Sequence, residues 1–223
     1  MSNNDTIQRF LFDNTDVRGE IVSLDRSYKE AVAQQNIPQE LNPLFGQFLS
    51  AASLLSEVLK FDGILTLQAR GDGPVPLIMA EASSAGDLRG IVRTSEVNND
   101  LIIRDSQLRP LPEIIGKGVL AITIDPTKGE RYQGIVPLDA HNLEECLCHY
   151  FEHSEQLPTY IKLFSNESHS SGLFLQCLPA QLQKDPSERE DTWSTLMQLA
   201  DTISVSANCI KVHQVSSRSD GSF

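Results

Sequence analysis

Apolar positions along the chain gather into short runs bounded by turn residues and into four stretches with helical spacing. After a polar lead, the apolar content starts at Arg9-Phe10-Leu11-Phe12, and Val17 to Val22 reads as a strand with Gly19 inside it. Arg26 to Asn36 has helical spacing and stops ahead of Pro38, which disfavours α geometry in the residue before it. From Leu41 to Phe61 the apolar residues point to nearly every side of a helix. The polar positions among them are mostly small or uncharged: Gln47, Ser50, Ser53 and Ser56. A helix apolar all round is covered on more than one face. The spacing therefore predicts a central helix buried between strands.

Strands dominate the remainder. Ile64 to Ala69 lies between Asp62-Gly63 and the turn Gly71-Asp72-Gly73-Pro74, and Val75 to Ala80 and Gly90 to Arg93 are shorter runs. Asn98 to Pro112 has no clean period and reads as an irregular loop. Val119 to Ile124 and Arg131 to Leu138, joined through Thr127-Lys128-Gly129, predict an antiparallel hairpin. Leu143 to His153 predicts a helix with Asn142 as N-cap and Glu144 and Glu145 at its positive end. Tyr160 to Phe164 and Gly172 to Leu178 predict a second hairpin. After a boundary at Pro179 to Pro186, Arg189 to Ser204 is an amphipathic helix carrying Trp193, Leu196, Met197, Leu199, Ala200 and Ile203. Val215 to Phe223 is Ser-rich without an apolar period, as expected of a disordered end. The fold class expected is α+β: mixed or antiparallel sheets around a buried helix, plus a C-terminal amphipathic linker helix. The expected division is a core over residues 1–182 and a linker helix with tail over 183–223.

Charge narrows the partners. With 30 acidic against 18 basic residues the formal net charge is −12, which repels phosphate backbones and anionic membranes. No apolar run approaches the roughly 18 residues of a membrane span. Nucleic-acid and membrane partners are therefore not expected, and a reducing, cytoplasmic setting is. Cys146, Cys148, Cys177 and Cys209 are expected as reduced thiols, because a chain of 223 residues does not need disulfide staples.

Candidate chemistry is sparse. Cys146, His149 and His153 fall at i, i+3 and i+7 on one helix face, with Cys148, Glu145 and Glu152 nearby. Two readings stand: a zinc site serving a metal-dependent enzyme, or Cys146 in the core with both histidines toward solvent. Zinc sites normally draw ligands from two segments, which weighs for the second. Gly71-Asp72-Gly73-Pro74 and Gly116-Lys117-Gly118 lack the spacings of phosphate-binding loops and read as turns. Arg18 with Glu20, and Glu130 with Arg131, place charges inside apolar sequence. They suit either a catalytic pair or partly buried ion pairs linking strands, since buried charges are usually paired. No G-x-S-x-G elbow or H-E-x-x-H motif occurs. No catalytic, metal or redox residue is assigned.

Several segments, in this order, resemble the 33 kDa chaperonin family, the redox-regulated heat-shock holdase of bacteria. They are Arg9-Phe10-Leu11-Phe12, Val17-Arg18-Gly19-Glu20, Leu59-Lys60-Phe61-Asp62-Gly63, Leu67 to Pro74, Arg89-Gly90 and Gly116-Lys117-Gly118. Gly129 to Val136, Tyr150-Phe151, Ser154 to Thr159 and Gly172 to Pro179 complete the set, and the likeness covers about residues 7 to 204. The resemblance implies an ATP-independent chaperone that holds unfolding or oxidatively damaged client proteins on exposed apolar surface. In full-length members zinc sits in a C-terminal module, C-x-C followed by C-x-x-C; oxidation releases it, the linker loosens, and oxidised members dimerise. Here Cys209 stands without either motif after it, and Cys146-x-Cys148 lies in the core helix, so the zinc module is expected to be missing from this chain. The linker helix Arg189 to Ile203 is then expected to pack on the core over client-binding surface, to open readily, and to leave holdase activity present in reductant. A homodimer is expected from exposed apolar surface. The client-contacting residues are not identifiable from the sequence.

Overall fold

The computed structural model describes residues 5–95 and 109–203. The elements run β1 (Thr6–Leu11), β2 (Val17–Leu24), α1 (Arg26–Ala33), a 3-10 turn (Gln39–Leu41), α2 (Asn42–Val58), β3 (Gly63–Gly71), β4 (Leu77–Ser83) and β5 (Leu88–Arg93). After the break come α3 (Leu111–Ile115), β6 (Gly118–Pro126), β7 (Tyr132–Pro137), α4 (Leu143–Ser154), β8 (Thr159–Ser165), β9 (Ser170–Cys177) and α5 (Pro186–Asp201). One sheet has the order β1-β2-β9-β8 and the other β5-β4-β3-β6-β7. Both are antiparallel throughout, so of the mixed or antiparallel sheets expected, the second form is found.

Helix α2 fills the space between the two sheets, touching β2, β8 and β9 on one side and β3, β4 and β5 on the other. This is the buried helix that the all-round apolar pattern predicts. Phe45, Phe48, Leu49, Leu54 and Leu55 lose essentially all contact with solvent. Its serines are tolerated because their hydroxyls find partners: Ser50 meets Ser170 of β9 at 2.7 Å, and Ser56 donates to the Ser53 carbonyl at 3.1 Å. Inward residues alternate along the strands, as with Leu65, Leu67 and Ala69 of β3 and Leu120 and Ile122 of β6.

Several boundaries differ from the sequence reading, each for a local reason. Helix α1 ends at Ala33 rather than Asn36, because Gln35 leaves it to bond β5: its side chain donates to the Gly90 carbonyl and accepts from the Val92 amide. Helix α2 stops at Val58, and Lys60 takes a left-handed φ of 45° to turn the chain into β3. Strand β4 begins at Leu77 because the Val75 amide bonds the Ile114 carbonyl instead of a strand neighbour. Leu111 and Pro112, read as part of an irregular loop, belong to α3, a helix too short to show a period. Residues 98–108 of that stretch lie outside the described residues, as do Cys209 and the tail 215–223. The two hairpins, β6-β7 and β8-β9, pair as expected, and the Asn142 side chain caps α4 by accepting from the Glu145 amide at 2.9 Å.

The sandwich leaves α2 no spare room. A Cβ at Gly46 would stand 2.2 Å from the Ser165 hydroxyl and 2.7 Å from the Tyr28 ring. Helix propensity alone predicts that Gly46→Ala stabilises by about 1 kcal/mol. The packing predicts the opposite sign, a loss of about 1–3 kcal/mol, read from urea unfolding of the variant and the parent.

Candidate functional site

Strand β2 sorts its side chains between two environments. Val22 and Leu24 face α2, whereas Ile21 faces outward. On that outer face Ile21, Leu173 and Leu175 form a strip flanked by Phe10, Phe12 and Tyr160. The Phe10 ring occupies the space beside Gly19, where a Cβ would come within 2.3 Å of it. Phe10 and Phe12 then meet edge to face at 5.4 Å. The four-stranded sheet is therefore apolar on both faces, although only one is needed to bury α2.

Helix α5 lies over this outer strip. Trp193, Ala200 and Ile203 touch it, but Ala200 is the only α5 side chain that is fully buried among those described. Leu199, expected on the apolar side, stays 59% exposed. Polar contacts at the two ends supply the rest of the attachment. At the C-terminal end, Tyr160 donates to Asp201 Oδ1 at 2.6 Å, and the Lys162 ammonium reaches the carbonyls of Ala200 and Asp201 at 3.3 and 2.9 Å. A cation suits the negative end of the helix.

At the other end, the buried Asp16 carboxylate accepts from the amides of Gln181, Leu182 and Gln183 at 3.0–3.2 Å. Arg189 of α5 completes the clasp. It donates to Asp16 Oδ2 at 2.8 Å, to the Leu178 carbonyl at 2.7 Å and to Cys177 Sγ at 3.2 Å. The Leu182 amide, the other amides and the Arg189 guanidinium together hold the Asp16 carboxyl below the usual carboxylate range, against the burial that opposes them.

The charges inside apolar sequence resolve as an ion pair linking strands. Glu20 is fully buried and accepts from Arg9 Nε of β1 at 2.7 Å, while another Arg9 nitrogen donates to the Glu57 carbonyl at the end of α2. Arg18 bonds the Gln176 side chain at 2.7 Å. Glu130 and Arg131, by contrast, sit exposed in the β6-β7 connection. Gly71-Asp72-Gly73-Pro74 is a structural turn that docks α3: the Gly73 amide donates to the Ile115 carbonyl at 2.8 Å, and Asp72 accepts from the Lys117 amide at 2.7 Å.

The zinc-enzyme alternative at Cys146, His149 and His153 is overturned. Cys146 is buried among core residues while His149 and His153 are exposed, and among the described residues no three metal-ligating side chains converge. Nor do the described thiols suit redox sensing. Burial pushes Cys146 and Cys148 up to about 11, and raises Cys177 as well, against the pull of Arg189.

A family model described as Hsp33 protein matches residues 5–216, twelve residues beyond the end of the likeness read from motifs. The 33 kDa chaperonin of Pseudomonas aeruginosa (strain LESB58) is 51% identical over 203 residues, 91% of this chain and 66% of that protein. The 33 kDa chaperonin of Azotobacter vinelandii is 47% identical over 206 residues. The chain thus spans about two thirds of the length of these relatives. The crystal structure of the 33 kDa chaperonin of Thermotoga maritima superposes with a TM-score of 0.70 at 21% identity, over 89% of this chain and 67% of that one, and shares its fold.

Two outcomes test the site. Asp16→Ala leaves the guanidinium and three amides without their acceptor, so trypsin cuts after Lys184 and Arg189 at least about tenfold faster while the core stays resistant. Because the Asp16 pKa is depressed, its contribution is fully present above the ordinary carboxylate range and fades only as pH falls through the lowered value. Hydrogen exchange of the α5 amides, corrected for the intrinsic rate, is therefore as slow relative to the core at about pH 5 as at neutrality. For the thiols, Cys146 and Cys148 are expected to resist a thiol reagent near pH 7 until denaturant is added, because the thiolate fraction is then only about 10⁻⁴. Rapid labelling of the native protein at either position contradicts that.

Proposed function

The chain belongs to the Hsp33 family, a family of chaperonins rather than enzymes, and from that premise we propose that it is an ATP-independent holdase. It binds unfolding proteins, including oxidatively damaged ones, on apolar surface and keeps them from aggregating. The observation that carries the proposal is the outer strip of the four-stranded sheet, covered by a helix that buries one side chain of its own and is tied down by polar groups at its ends. Release of α5 uncovers Phe10, Phe12, Ile21, Leu173 and Leu175, which together offer what an unfolding chain exposes.

Redox control through zinc and thiols, which the resemblance implies for full-length members, receives no residue here from Cys146, Cys148 or Cys177. Cys146 and Cys177 are buried and Cys148 is partly so, and burial raises all three above the ordinary thiol range. Opening of α5 in this chain is governed by the clasp at Asp16 and by the contacts of Tyr160 and Lys162. A cytoplasmic setting and self-association through uncovered apolar strip belong to the same proposal. None of the described helices is long and apolar enough to cross a membrane.

Light scattering by a thermally unfolding test protein checks this, with the chain added in reductant and again after peroxide. Suppression in both conditions is expected. Suppression only after peroxide contradicts a constitutive holdase, and no suppression in either overturns the function and leaves an interaction domain.

A further inference from the structure

The outer face of the five-stranded sheet has no helix across it among the described residues, and the register of its strands sets out what it presents. One row crosses the sheet as Ile91, Met79, Gln68, Ala121 and Ile135. The next row reads Arg93, Leu77, Arg70, Val119 and Pro137. Ile135 remains 59% and Val119 41% exposed, so the rows carry accessible apolar surface next to exposed arginines. Lys117 is exposed immediately before β6, at the same end.

Arg70, Arg93 and Lys117 are the unusual part. Among the described residues none of the three is in an ion pair, although the chain as a whole carries a net charge of −12. Asp72, two residues after Arg70, spends its carboxylate on the Lys117 amide, and Glu113, four residues before Lys117, is paired with Arg109. By contrast, Arg89 at the other end of the same face is paired with Glu81. Three cations without an ion pair among the described residues thus adjoin an apolar row at one end of an otherwise acidic protein. We propose that this face is a docking surface for extended polypeptide segments in which apolar side chains adjoin carboxylates. The apolar rows take the alternate side chains of such a segment, and the cations fix its direction and speed its encounter. The inference rests on the holdase reading and assigns to it a client surface separate from the strip under α5, together with a preference for acidic clients.

The test uses two dye-labelled peptides of about six alternating leucine and threonine residues, a strand's length. One ends in three glutamates and its twin in three lysines, and binding is followed by fluorescence anisotropy. The glutamate peptide is expected to bind at least about tenfold more tightly, with the margin closing near 1 M salt, where the Debye length is about 3 Å. Ile135→Glu and the double variant Arg70→Glu/Arg93→Glu each weaken it by about tenfold, with the unfolding midpoint unchanged. Equal affinity for the two peptides, or affinity indifferent to the arginine variant, overturns the inference. So does a dimer in sedimentation that Ile135→Glu splits while peptide binding persists, since the face then belongs to a second copy. The arginine variant decides the matter even if Ile135→Glu fails to fold. Failure here with aggregation still suppressed by the chain removes this surface and leaves the holdase standing.

Discussion

Everything in this molecule is arranged around a helix that has no polar side. Helix α2 must lose contact with water over its whole circumference, and one sheet can cover only half of it. Two antiparallel sheets close over it from opposite directions, and each needs an inner face of alternating apolar residues. Tight approaches follow from the same demand. Gly46 admits Tyr28 and Ser165, and Gly172 admits Leu54, where a Cβ would lie 2.6 Å from the leucine methyl. Buried hydroxyls inside the sandwich are tied by short bonds, Ser50 to Ser170 and Ser170 to the Gly46 carbonyl among them.

Once the inner faces have buried α2, stability requires nothing further of the outer ones. Apolar residues there are surplus to folding, and that surplus is what a chaperone needs. The two outer faces handle it differently. On the four-stranded sheet the strip lies under α5, whose few apolar contacts are supplemented by a cluster of charge-assisted bonds at Asp16 and by Lys162 at the helix end. Such bonds are directional and fail together when one partner is lost, whereas area burial fails gradually. On the proposed function, a helix held in this way leaves as a unit without loosening the core beneath it.

Much of this is legible in the residues themselves. The run from Leu41 to Phe61 announces a covered helix, the Thr127-Lys128-Gly129 connection announces a hairpin, and Asn142 followed by Glu144 and Glu145 announces a helix start. Glu20 is recognisable as a charge that needs a partner. What is not legible depends on distance along the chain. Nothing local ties Asp16 to amides more than 160 residues later, or Arg9 to the end of α2. Helix α3 is hidden because five residues cannot display a period. The histidine and cysteine spacing on α4 misleads for a related reason. Positions i, i+3 and i+7 share a face only approximately, and the edge of the core runs between Cys146 and the two histidines.

The central claim is that a permanently buried helix and a removable one coexist in the same fold. Native-state hydrogen exchange across the whole chain measures this directly. The account predicts that the amides of α2 exchange only through global unfolding, and those of α5 through a local opening that leaves the protection of β2 and β9 backbone pairing intact. Protection of α5 equal to that of α2 would contradict it.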